Sequence, residues 1–326
     1  MGGCAGGELA AAVSSAGGVG LVGSGGESLQ YLLDQWAIAV AHPNVDRNAL
    51  GFGLNVGQLE DEFPEGTLSR LMNELSPSHV YLSFGDIAPH AMTVLECGAA
   101  LYSNAGDCEG AIAHARAGAT AVVVQGSDAG GHTHNSASVF TLVPQARSAL
   151  DAAGFEGTLL VAAGGVSDGR GLAAALVLGA DAAVLGTRFA AASESEYTRL
   201  QKEALVAVGC GAKGTTIGTF IDAVRGIDKH SSGLPGRCIA NKTTRLEPEW
   251  NESREGAAGD QETRERIKRT HREGVAAAGG EGLEWGATWA GTGTGLVKAV
   301  QPAATIVAEV LDEAASALKA GAGSVL

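Results

Sequence analysis

From residue 6 to about residue 208, short apolar runs alternate with alanine-rich stretches of helical periodicity, a spacing that predicts parallel strands joined by crossover helices. Seven runs are read as strands: Val19–Val22, Gly51–Val56, Val80–Phe84, Ala99–Ser103, Ala121–Gln125, Thr158–Ala163 and Ala182–Leu185. Runs such as Ala121-Val-Val-Val show no polar alternation, as expected of strands covered on both faces. Helices fit at Glu8–Ala16, Glu27–Ala41, Thr67–Leu75, Pro89–Cys97, Cys108–Ala117, Phe140–Ala152, Asp168–Leu178 and Glu194–Val208. Asp168 is placed to cap a helix start, and Gly118, Gly154 and Gly179 stand where helices end. The fold class is α/β, a TIM-type (β/α)8 barrel that apparently lacks its first strand, because the chain opens on Met1-Gly-Gly and a helix. A barrel with that gap would have two unpaired edges.

After residue 209 the alternation stops. Thr215–Val224 mixes β-branched residues with Phe220, and the charged stretch Lys242–Arg272 predicts a loop followed by a solvated helix around Gln261–Glu273. Trp285-Gly-Ala-Thr-Trp-Ala-Gly-Thr-Gly-Thr-Gly295 combines two tryptophans with glycines. Pro302 opens a last amphipathic helix with Ile306, Val307, Val310, Leu311 and Leu318 on its apolar side. The expected organisation is a cofactor-binding barrel over 1–208, a C-terminal cap segment over the barrel mouth at 209–300, and a helix at 301–326 that packs back on the barrel.

Composition narrows the partners. Hydrophobic residues make up 45% and charged ones 18%, enough for a large core. Lys plus Arg total 22 against 36 for Asp plus Glu, and the net charge of −14 repels nucleic acid and acidic membrane surfaces. Cys4, Cys97, Cys108, Cys210 and Cys238 are scattered and never form a Cys-x-x-Cys pair, so neither a disulfide framework nor a metal site is expected. Such thiols, with no Lys or Arg before Arg47 to start a secretory leader, point to the cytoplasm. The apolar stretch Leu172–Leu185 is broken by Asp181 and is too short to span a bilayer.

Candidate chemistry gathers at strand ends. Thr158-Leu-Leu-Val-Ala-Ala-Gly-Gly165 and Val184-Leu-Gly-Thr187 each finish on residues whose bare backbone amides can approach an anion, so Gly164, Gly165, Gly186 and Thr187 suit a phosphate. The turn Ala129-Gly-Gly-His132 sets one imidazole on the rim where barrel enzymes keep catalytic groups. Asn55, Asn104 and Gln125 close apolar runs on that same rim and are read either as turn-formers or as cofactor contacts. Gly18-Val-Gly-Leu-Val-Gly23 matches a dinucleotide fingerprint, but a helix rather than a strand precedes it. Gly209-Cys-Gly-Ala-Lys-Gly-Thr-Thr216 has its lysine on the wrong side of the second glycine for a phosphate loop. His132-Thr-His134 has no carboxylate or thiol companions for a metal.

Taken together, Ala16-Gly-Gly-Val-Gly20, Gly51-Phe-Gly-Leu-Asn55, Ser83-Phe-Gly-Asp86, Gln125-Gly-Ser-Asp-Ala-Gly-Gly-His132, Ala162-Ala-Gly-Gly-Val-Ser-Asp-Gly-Arg170, Leu178-Gly-Ala-Asp181, Gly186-Thr-Arg-Phe189 and Trp289-Ala-Gly-Thr-Gly293 resemble the nitronate monooxygenase family, formerly 2-nitropropane dioxygenases, in its fungal-type branch. The resemblance implies an FMN-dependent barrel whose flavin phosphate is held by Ala163, Gly164, Gly165, Gly186 and Thr187. It implies His132 as the catalytic residue, with Gly130 and Gly131 lining the flavin, and Met1 and Gly2 as the remnant of a flavin-touching first strand. Asn104 stands where the family usually has Gln or Lys, and Thr133 replaces a common glycine. The implied reaction is oxidation of an alkyl nitronate or nitroalkane by O2 to a carbonyl compound and nitrite, with no nucleic-acid or membrane partner. The alternatives are an FMN-dependent NAD(P)H enoyl-thioester or quinone reductase, or an N-terminally truncated inactive family member.

Overall fold

A computed structural model describes residues 1–134, 137–227, 233–255, 260–278 and 283–324. Its strands are β1 (Gly20–Gly23), β2 (Leu50–Asn55), β3 (His79–Ser83), β4 (Ala100–Ala105), β5 (Ala121–Gln125), β6 (Gly131–His132), β7 (Leu159–Ala163), β8 (Ala182–Val184), β9 (Thr215–Gly218) and β10 (Gly236–Ile239). Seven of them make one parallel sheet in the order β1-β2-β3-β4-β5-β7-β8, a half-barrel with helices on its outside. The other three make a small sheet in the order β6-β10-β9, with β10 antiparallel to both neighbours.

Strand register sorts the side chains into two layers. Tyr81, Tyr102, Ala121, Val123, Val161 and Ala163 cluster on one face. Val80, Leu82, Leu101, Val122, Val124, Leu160 and Ala162 join the main core beneath the helices. Both faces are apolar, which is why the strands read as unbroken hydrophobic runs. Burying a single leucine such as Leu101 contributes about 1.5–3 kcal/mol of transfer free energy.

The sheet's two edges, β1 and β8, share no ladder among the described residues. Packing links them instead. The first helix, Gly7–Ser15, lies so close to β1 that a Cβ on Gly20 would fall 1.8 Å from the Ala10 carbonyl oxygen. Gly23 N donates to Ala5 O at 2.8 Å, while Ala5 and Leu9 share a core cluster with Ala192, Ile306 and Val310 on the far side. On β8, Val184 keeps the face that Ala163 buries on β7, yet it is 38% exposed.

Three expectations need correction. The second strand is expected to run to Val56, but it ends at Asn55, whose carboxamide accepts from Gly57 N at 2.9 Å and so starts a short helix, Val56–Asp61. The charged stretch expected as a loop holds a helix at Glu247–Glu255, because Trp250 faces inward and joins Phe220, Val224 and Ile267 in a second small core. On the last helix, Ala303–Ser324, the buried stripe is Ala303, Ile306, Val310 and Ala314, whereas Leu311 and Leu318 are exposed. That helix meets Gly169–Val177, where Gly169 N donates to Glu313 Oε2 at 2.9 Å. The span 209–300 includes 228–232, 256–259 and 279–282, which lie outside the described residues.

Candidate active site

The C-terminal ends of the parallel strands form one rim, and the sequence-derived candidates fall along it. After β7, Gly164 and Gly165 adopt φ of 104° and 75°, a left-handed backbone that other residues resist. Close approach reinforces this at Gly164, where a Cβ would lie 3.0 Å from Gly126 O and 3.1 Å from Ala129 N. After β8, Gly186 precedes the single helical turn Thr187–Ala190. Met1 reaches this point from the other edge: its sulfur is 3.4 Å from a Cβ built on Gly186, and Gly2 packs on Gly25 beyond β1.

One segment ties the two tips together. Gly291 N donates to Thr187 Oγ1 at 2.9 Å, and Thr292 N donates to Asp128 O at 3.0 Å. The Asp128 side chain packs against Gly165, and a Cβ on Gly130 would lie 2.4 Å from Gly291 N. The tips are therefore joined through Asp128, Gly130 and Gly291. Among the described residues nothing lies within 4 Å of the Cβ position at Gly131.

His132 ends β6, held by its ladder to Gly236 and by Gln125 Nε2, which donates to its carbonyl at 3.1 Å. Its ring packs on Trp289 with centroids 5.2 Å apart, and its Nε2 lies 2.5 Å from Asp222 Oδ2. Both side chains are largely shielded, 23% and 17% exposed. Asp222 sits on the helix Phe220–Arg225, and its buried Oδ1 has no hydrogen-bond partner among the described residues and lies 3.7 Å from the Arg225 guanidinium.

The remaining candidates serve the backbone. Asn104 is buried and its Oδ1 accepts from Phe84 N at 2.9 Å, fixing Phe84 at φ of 56°. The Asn104 amide then donates to Gln125 Oε1 at 3.5 Å, so the polar chain runs from Phe84 to the His132 carbonyl. Asn55, at the end of β2, caps its own helix, and no described contact joins it to the His132 group. His134 packs on Phe84, and burial pushes the imidazoles of His134 and His114 toward lower pKa.

Sequence reasoning missed Asp222 and Arg237. Asp222 is an acid flanked by the buried Phe220, Ile221 and Val224, and that carboxylate inside an apolar turn was the available signal. Arg237 is opposite Gly131 on β10; it donates to Ser127 O at 3.1 Å and Thr215 Oγ1 at 3.3 Å, and its buried Nε has no partner among the described residues. Burial holds its guanidinium below the ordinary arginine value, with Asp128 acting in the opposite direction. Burial pushes the Cys238 thiol, on the strand bridged to Trp289, up to about 12. No cluster of metal-ligating side chains occurs among the described residues.

A parallel β/α half-barrel with glycine tips and a shielded histidine on its C-terminal rim has the architecture of a TIM-type oxidoreductase. The nitronate monooxygenase family model matches residues 36–313, and the chain belongs to that family of flavin-dependent oxidoreductases. A Neurospora crassa nitronate monooxygenase is 30% identical over 96% of this chain and 87% of its own length. A Mycobacterium tuberculosis enzyme named as a hydroxy-methyl-oxo-octahydro-indene-carboxyl-CoA dehydrogenase is 34% identical over 69% of this chain and 59% of its own length. Among solved structures, FabK from Thermotoga maritima superposes with a TM-score of 0.79 at 26% identity, covering 99% of this chain and 94% of that one. A nitroalkane oxidase from Streptomyces ansochromogenes shares the fold, with a TM-score of 0.76 at 24% identity over 98% of this chain and 95% of that one. Among the described residues no helix is long and apolar enough to cross a membrane.

Proposed function

We propose that this chain binds FMN and oxidises alkyl nitronates, or their nitroalkane parents, with O2 to a carbonyl compound and nitrite. The observation that carries the reading is the convergence of two glycine tips and one shielded imidazole on a single rim, joined through the segment Trp289–Gly293. Ala163, Gly164, Gly165, Gly186 and Thr187 would take the phosphate through backbone amides and the Thr187 hydroxyl. The Arg237 Nε, a buried donor with no partner among the described residues, fits this use, since its guanidinium interacts with Asp128, whose side chain packs against Gly165. Met1, Gly2, Asn55, Asn104, Gln125, Gly130 and Gly131 would line the rest of the flavin. We read residues 209–300 as a cap over this rim, and the interval between β1 and β8 as the place of an eighth strand.

When bound, the flavin supplies the redox chemistry. The chain's own task is placement and proton handling. A neutral His132 takes the α-proton of a nitroalkane, and the C–H electron pair stays on the substrate as a nitronate. A protonated His132 instead faces the nitronate as a cation. Its position against Trp289 excludes water from one face of the ring.

The test is an absorption spectrum of the chain supplied with FMN, followed by propionate 3-nitronate under air and an assay for nitrite. Bound flavin and nitrite release are expected, and a chain that stays colourless and yields no nitrite overturns the reading. A second reading, an NAD(P)H-dependent thioester reductase, draws on the likeness to the CoA-ester dehydrogenase. Anaerobic bleaching of the flavin by NADH, with none by nitronate, would favour it.

A further inference from the structure

We infer that Asp222 is a positioning residue for His132: it holds the imidazole with a proton on Nε2 and thereby presents Nδ1 as the atom that exchanges a proton with substrate. The inference rests on the reading of His132 given above. The 2.5 Å contact between Asp222 Oδ2 and His132 Nε2 is taken with Nε2 donating, because a carboxylate accepts hydrogen bonds and cannot donate them. A neutral ring with that tautomer carries its lone pair on Nδ1, for which no partner occurs among the described residues.

Independent elements fix the two partners. His132 is held by the β6–β10 ladder and by Gln125 at its carbonyl. Asp222 is held because its helix neighbours Phe220 and Val224 are packed with Trp250 and Ile267. Trp289 lies against the imidazole at a 45° tilt and hinders a ring flip that would exchange the two nitrogens. Arg225 faces the second carboxylate oxygen at 3.7 Å, so a cation lies behind the anion.

The arrangement prepares for the charge that catalysis creates. The substrate's α-carbon gives its proton to Nδ1, and the C–H electron pair remains with the substrate as the nitronate. The ring becomes a cation that Asp222 already faces in a shielded site, where the attraction exceeds its value in water. Asp222 touches neither substrate nor flavin in this scheme.

Two measurements test it. In the 15N-labelled protein, two-bond proton–nitrogen correlation of the histidine rings, with His132 assigned by its loss in His132→Asn, reports the tautomer whether or not a nitronate is turned over. The wild type is expected to show the Nε2–H form alone. Asp222→Asn and Asp222→Leu are expected to show a mixture with Nδ1–H, because an amide can donate as well as accept and leucine does neither. In the FMN-loaded enzyme, Asp222→Asn should lower kcat by about 10- to 100-fold with KM within about twofold, by analogy with carboxylates that orient metal-bound histidines. Asp222→Glu should recover part of the loss.

An Nδ1–H tautomer in the wild type overturns the proposal even if every variant fails to fold. So does an unchanged tautomer in both Asn and Leu variants. A locked Nε2–H tautomer in a chain that releases no nitrite leaves Asp222 as the orienting group and removes the nitronate reading instead.

Discussion

The half-barrel and the region around Phe220–Ile267 supply the candidate site with different materials. The half-barrel offers backbone: two glycine tips and a polar chain through Asn104 and Gln125, all fixed to strands that are apolar on both faces. The outer region offers ionisable and aromatic side chains, Asp222, Arg237 and Trp289, supported by a core of only a few large residues. Hydrogen bonds compensate for the smaller core there: Asn241 caps Thr244, and Thr243 links His271 to the Trp285 carbonyl. Rigid amides suit an invariant anion, whereas side chains on a thinly supported layer can be retuned for substrate without disturbing the barrel.

Removing the imidazole where the two regions meet should have the largest effect. His132→Asn is expected to retain FMN and to lose about 10²- to 10⁴-fold in kcat/KM on nitroethane, the range for a general base. Steady-state nitrite release measures it, and unchanged turnover would detach His132 from the chemistry.

Trp250→Ala addresses the support of the outer layer. Deleting this buried ring should cost about 3–5 kcal/mol, the scale for large aromatic truncations in cores. Hydrogen exchange should quicken in Gln261–Ala277 while β2 to β5 stay protected; equal loss in both would show that the two regions unfold as one.

Gly164→Val addresses the backbone tip alone. The left-handed φ of 104° and the close Gly126 carbonyl should together cost about 1–3 kcal/mol. FMN titration should show roughly tenfold weaker binding or worse, with the Asp222 contact to His132 retained.

The smallest effect concerns pH. Burial lowers the pKa of His271, with Arg225 adding to the shift, and likewise lowers those of His114 and His134. Each folded value lies below the unfolded one of about 6.5, so the unfolded chain binds more protons in the interval between them. Their stabilising contribution is complete above the unfolded value and is lost as pH falls through the folded values. Urea midpoints at pH 8 and pH 5 should show the decline. His271→Gln should flatten the part that belongs to the outer layer and His114→Gln the part that belongs to the barrel.

The same division decides what could be read from the sequence. All seven barrel strands were legible, because Ala121-Val-Val-Val or Leu160-Val-Ala-Ala can satisfy its backbone and hide both faces only within a parallel sheet. Gly164, Gly165 and Gly186 were legible for a related reason, since glycines that end such runs mark where the backbone itself is presented. Asp222 was not, because its significance depends on a partner 90 residues away in sequence. The helix Glu247–Glu255 was hidden by charge: seven of its nine residues are polar or charged, and Trp250 is the large apolar side chain that turns it inward. Asn55 was half legible, its place on the rim being clear while its side chain proved to serve a helix start.

The edges β1 and β8 bear on how the molecule behaves in a crowd. Open strand edges template pairing with neighbouring molecules, and the hazard grows with their length and flatness. β8 offers only Ala182–Val184, and β1 only Gly20–Gly23, whose last amide already donates to Ala5. Brevity at one border and self-pairing at the other leave little continuous backbone for a stranger to extend, so self-association along these borders should be weak even at high protein concentration.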